Sequence, residues 1–161
     1  MKRIATILRF FAISPEFLVS VTGLALLNFW PNWFLWLGER IGQQAELLKY
    51  FGLLPAALVV YDSQIVKNIL LPESDKRAVL QGWSRYWDLK CGGVVGLVYG
   101  IMFAMAGFSA LLFDWRKPAA HYAALLITSV VGALTVSASF YLTHIKIEEL
   151  FRQQRNEESK A

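Results

Sequence analysis

At 161 residues, 56% of them hydrophobic and 17% charged, the chain is too short and too apolar to carry a sizeable soluble catalytic domain beside its apolar stretches. Its net charge of +4 comes from basic residues interleaved with Asp and Glu and confined to segment ends, which excludes a nucleic-acid footprint. A single cysteine excludes an internal disulfide and a thiol-based redox pair.

The first uncharged stretch, Phe17 to Leu37, follows a basic segment with Lys2, Arg3 and Arg9. It reaches the ~20 residues that a helix needs to cross a bilayer. Arg9 and Glu16 interrupt any signal-peptide core, and no small-x-small site precedes Trp30 in register, so a retained span is expected. Asn28 can bond across helices. Trp30, Trp33 and Trp36 around Pro31 read as an aromatic belt at the outer interface.

The second stretch, about 44–62, is weaker. Only Tyr50 to Tyr61 is free of charge, and crossing requires Lys49 to reach an interface. Pro55 is placed to kink it. Asp62 is read as the cytoplasmic edge, with Ile65 to Leu71 continuing as an emerging helix. The competing register puts Asp62 inside the bilayer, where a carboxylate is a functional group by default.

Residues 63–90 then form a cytoplasmic loop with an amphipathic segment between Leu71 and Lys90. Val79, Leu80, Trp83, Tyr86 and Trp87 share one side of a helix that Pro72, Glu73 and Asp75 suit at its start, while Gly82 weakens it. Such a segment either lies in the membrane interface or docks a cytosolic protein. The partner surface is assigned to Val79, Trp83, Tyr86 and Trp87, joined by Phe151 and Arg152 of the tail.

The third stretch, Cys91 to Phe113, carries Gly92, Gly96, Gly100 and Ala104 every four residues, with Gly93 and Gly107 nearby. The fourth, Ala119 to Thr143, repeats the device with Ala120, Ala124, Thr128 and Gly132, beside a second stripe of Ser129, Ala133 and Ser137. In lipid, helices are held by close backbone approach, which small residues permit. A single four-helix bundle could use both faces internally, but two small faces on one helix exceed what a lone bundle usually needs, so a homo-oligomer packed through Gly92, Gly96, Gly100, Ala104, Ala124, Thr128 and Gly132 is expected. Cys91 is read as a small packed residue. The tail, 144–161, continues as a helix with Ile147, Leu150 and Phe151 on one face.

These elements make an all-α polytopic membrane protein, a single domain of four spans at about 17–37, 44–62, 91–113 and 119–143. Twelve of the sixteen basic residues fall in the N-terminal segment, the 63–90 loop and the tail. That bias puts both termini and the loop in the cytoplasm.

Catalytic constellations are absent from the sequence. No phosphate-binding glycine loop and no acidic metal cluster occur, and His121 and His144 lie about 34 Å apart along a helix rising ~1.5 Å per residue. A non-enzyme without cofactor or recognisable small-molecule substrate follows. Its partners are membrane lipid, further copies and a cytosolic protein, with no direct nucleic-acid binding. The leading reading is a membrane anchor or sensor. The alternative is a pore lined by Thr128, Ser129 and Ser137.

In size, span number, cytoplasmic ends and packing stripes, the chain resembles the small four-span membrane subunits of bacterial antiphage defence systems such as Kiwa. The resemblance implies an inner-membrane assembly that responds to phage-induced perturbation beside a cytosolic DNA-binding partner.

Overall fold

The computed structural model describes residues 11–71, 83, 86–112 and 119–158. Every regular element among them is an α-helix: α1 (Pro15–Phe29), α2 (Pro31–Gly42), α3 (Ala45–Leu70), α4 (Tyr86–Leu112) and α5 (Ala119–Glu158). Three segments are long and apolar enough to cross a membrane: Lys49–Leu70, Tyr86–Leu112 and Ala119–Gln153. The α1–α2 pair makes a fourth only if two helices bent by 101° count as one span. Leu24, Met105, Leu112, Tyr141 and Leu142 are among many large apolar side chains that face outward. So much contiguous apolar surface suits lipid, not water.

α1 begins where its sequence says a helix should. Ser14 caps it by accepting from the Phe17 amide (3.2 Å), Pro15 occupies the first turn, and Glu16 sits at the positive end. The single straight span expected over Phe17–Leu37 does not form. Pro31 disfavours helical geometry at the residue before it, and Trp30 adopts φ −130°, ψ 54°. α1 therefore ends after 15 residues, about 22 Å at 1.5 Å per residue, short of a ~30 Å hydrocarbon core. α2 turns across the end of α5 with Phe34 buried against Ala123 and Ala124, while Trp33 and Trp36 stay exposed. Arg40 lies over the Trp36 ring at 5.2 Å.

The second span differs from expectation at its inner end. α3 runs unbroken past Asp62 to Leu70, and Ile65, Val66 and Ile69, assigned above to a cytoplasmic loop, are buried in the main core with Val95, Tyr99, Phe103, Val136 and Phe140. Of the amphipathic segment, residues 72–82 lie outside the described residues. The described remainder is not one helix from Leu71: α3 has ended there, Trp83 belongs to no helix, and α4 starts at Tyr86.

α3, α4 and α5 meet along two seams on α4. Towards α3, Cβ atoms added at Gly93, Gly100 and Gly107 would meet Val66, Val59 and the Gly52 carbonyl with the Pro55 ring. Partner numbers fall as α4 numbers rise, so the pair is antiparallel, with contacts every seven residues as in supercoiled helix pairs. Towards α5, Gly96 faces Phe140, Gly100 faces Val136, Phe103 covers Gly132, and Gly107 faces Ser129. Steps of four, three and four along α4 make a second antiparallel seam. α1 also runs antiparallel to α5, with Gly23 under Thr128. α5 touches all four other helices.

Much of the small-residue surface read from the sequence is in contact within one chain. Gly96, Gly100, Ala124, Thr128 and Gly132 are all covered by α1, α2, α3, α4 or α5, Ala104 is half-buried beside Val59, and a Cβ at Gly92 would meet nothing within 4 Å.

The seams order three substitutions. At Gly107 a methyl would meet the Gly52 carbonyl at 2.9 Å and the Pro55 ring at 3.2 Å, neither of which can swing aside, so Gly107→Ala should cost about 1–3 kcal/mol. At Gly96 it would meet the tip of the Phe140 ring at 2.8 Å, which can shift, so Gly96→Ala should cost less. Gly92→Ala should be neutral or stabilise by up to ~1 kcal/mol through helix propensity. Thermal unfolding in detergent tests the order; equal losses at 92 and 107 would contradict the seams.

Candidate functional site

The polar centre of the bundle is a carboxyl group on α3. Gly52, Pro55, Asp62, Val66 and Ile69 recur at helical spacing and are all buried, which puts Asp62 on the packed stripe of its helix at 1% exposure. A charged Asp at the centre of a spanning helix costs about 2.5–3.5 kcal/mol to insert, so such a group faces the bundle interior. Here it faces α5, where Ser137 Oγ donates to Asp62 Oδ2 at 2.8 Å. Oδ1 has no hydrogen-bond partner among the described residues. The bond is a polar tie between α3 and α5. A carboxyl with one oxygen open can take up a proton or a further donor, and either event changes how strongly it holds Ser137.

The three hydroxyls assigned to a pore do not share a lumen. Ser129 is fully buried with its hydroxyl donating to the Leu126 carbonyl at 2.7 Å. Thr128 packs over Gly23 of α1, and Ser137 is bound to Asp62 of α3. They point at three different helices, as a packed interior demands.

The expected partner surface is placed in part. Val79 lies outside the described residues. Trp83 is half-buried, and its carbonyl accepts from the Tyr86 amide at 3.0 Å, which caps the start of α4. Tyr86 donates through its hydroxyl to the Ile69 carbonyl at 3.3 Å and lies under Lys90 Nζ at 4.4 Å. Its ring is thus spent in joining α4 to the end of α3. Trp87 is 46% exposed, Phe151 half-buried and Arg152 exposed. The register of the α4–α5 seam, one residue up for one down, carries Tyr86 level with Leu150, so the aromatic start of α4 and the tail of α5 lie at one end of the molecule.

Other singled-out residues are plainer. Cys91 is a buried free thiol, as its reading as a packed residue required. His121 is exposed, and His144 Nδ1 lies 4.0 Å from Glu148 one turn along α5. The sequence reading missed the Asp62–Ser137 bond, although the 3–4 spacing from Gly52 to Ile69 was there to be read.

Removing Ser137 Oγ leaves a buried carboxyl without its only described donor. Ser137→Ala should therefore lower stability in detergent by about 1–3 kcal/mol, while Asp62→Asn, which keeps an acceptor oxygen, should cost less. An unchanged melting temperature for Ser137→Ala would show that the tie contributes nothing.

Comparison with known proteins finds no matching family model, and no curated protein and no solved structure similar to the chain.

Proposed function

We propose that the protein is a non-catalytic subunit of a bacterial inner membrane, with both termini and residues 63–90 in the cytoplasm, that registers the state of the membrane and relays it to a cytosolic protein. The observation that carries this reading is α5. It runs for 40 residues, about 60 Å at 1.5 Å per residue, twice the thickness of a hydrocarbon core of ~30 Å. One continuous element therefore packs against the four other described helices and runs on past the length that a span requires. A shift of α1, α3 or α4 has to be felt by α5, and the Asp62–Ser137 bond gives that coupling a polar point at which two arrangements can differ.

The start of α4 and the far end of α5 carry the groups that suit a protein partner. Trp87 at the start of α4 and Arg152 beside Phe151 on α5 are of the types that dominate interface energetics. The likeness in outline to membrane subunits of antiphage systems fits such a relay, and phage-induced perturbation of the bilayer is the stimulus we propose for it.

In the test, tagged protein is purified from the membrane together with the product of a neighbouring gene. Trp83→Ala with Trp87→Ala, and separately Arg152→Glu, should reduce recovery of the cytosolic companion at least tenfold while the membrane subunit is recovered in full. Normal recovery of the companion with both variants, or ion conductance by the purified protein alone in liposomes, would overturn the relay.

A further inference from the structure

At the end of the bundle where α1 begins and α3 stops lies a cavity of about 800 Å³, bounded by the start of α4 and the later part of α5. That size is ordinary for a small-molecule site. Its depth is set by glycine: Gly92 lines it, and a Cβ there would meet nothing within 4 Å. Ile69, Val136 and Phe140 form an apolar wall.

Among the described residues, the polar wall offers more acceptors than donors. Glu16 lines the cavity at 5% exposure, and its side chain makes no hydrogen bond or ion pair among the described residues. The positive end of α1 offsets its charge. Asp88 adds a second carboxylate. Ser139 and Thr143 also line the space, and each has already committed its only hydrogen, to the Thr135 carbonyl at 2.9 Å and the Ser139 carbonyl at 2.8 Å. Their oxygens can therefore only accept. Among the described residues that line the space, the one cation facing these acceptors is Lys146, exposed on α5.

A ligand that fits has several N–H donors on a cationic end, one anionic group within reach of Lys146, and an apolar continuation. A primary ammonium meets the first condition with three donors; a quaternary ammonium has none. We propose that this cavity binds the head group of a zwitterionic primary-amine phospholipid, of the phosphatidylethanolamine type, with the ammonium at Glu16, Asp88 and the two hydroxyl oxygens and the phosphate at Lys146. The source is the surrounding bilayer. The site rests on membrane placement and would give the proposed relay its stimulus, but it does not depend on a cytosolic companion.

The experiment uses the full chain alone, reconstituted in vesicles of equal phosphatidylethanolamine, phosphatidylcholine and phosphatidylglycerol and examined by native mass spectrometry after gentle release. One phosphatidylethanolamine per chain should be retained in preference to the other two. Gly92→Leu, whose side chain enters open space, and Glu16→Gln should each reduce that retention about tenfold with no change in melting temperature. Retention in proportion to vesicle composition, equal retention of phosphatidylcholine, or full retention by both variants would overturn the site. Displacement of the lipid by equimolar soluble glycerophosphoethanolamine would overturn the bilayer as its source. Co-purification of a companion is measured separately, so either idea can fail alone.

Discussion

The bundle depends on how closely α4 can approach its neighbours. Lipid tails are as apolar as leucine, so helices in a bilayer gain little by hiding hydrophobic surface and are held by contact between backbones. At Gly107 the Gly52 carbonyl and the Pro55 ring occupy the space that a side chain would need, and at Gly100 Val59 and Val136 converge from two helices. Both glycines belong to both seams. α3 and α5 can therefore lie together on one side of α4, and that placement brings Asp62 within hydrogen-bonding distance of Ser137.

From this geometry the remaining features follow in order. Because α3 and α5 are neighbours, a carboxyl that lipid would reject is accommodated between them. Because α5 is also covered by α1 at Gly23 and by α2 at Phe34, its first half is enclosed. Where α1 begins, the packing opens into the cavity beside Gly92. A tie in the core, a single long helix through it and a polar hollow at one end are the parts that a membrane relay requires, and all three sit on α5.

Much of the architecture was legible in the sequence, because a spanning helix is declared by uncharged length and little else competes with that signal. The third and fourth apolar stretches are carried by α4 and α5, which run further than the stretches themselves: α4 begins at Tyr86 and α5 continues to Glu158. Pro31 was noticed, but its consequence for the residue before it was not drawn, and that local conflict bends α1 away from α2. The glycines of α4 were recognised as packing residues, yet the four-residue row from Gly92 through Ala104 is not the row in contact. The operative spacings are seven towards α3, through Gly93, Gly100 and Gly107, and alternating four and three towards α5. A list of small residues shows where close approach is possible; which helix comes close depends on the partner's bulk, on Val59, Phe140 and Phe103, which lie far away in the chain. The burial of Asp62 was missed for the same reason. Its charge argued for an edge, and only the packed neighbours Ile65, Val66 and Ile69 show that the helix stays buried beyond it.

The central claim, that α3 and α5 of one chain meet at Asp62 and Ser137, is tested most directly by joining them. In a Cys91→Ala background, Asp62→Cys with Ser137→Cys places two small thiols where the carboxyl and hydroxyl now touch, and a protease site inserted between α4 and α5 allows the two halves to be separated. After oxidation and cleavage, the account predicts fragments that stay together at the mass of one chain until reductant is added. Fragments that separate without reductant, or a covalent dimer before cleavage, would contradict it.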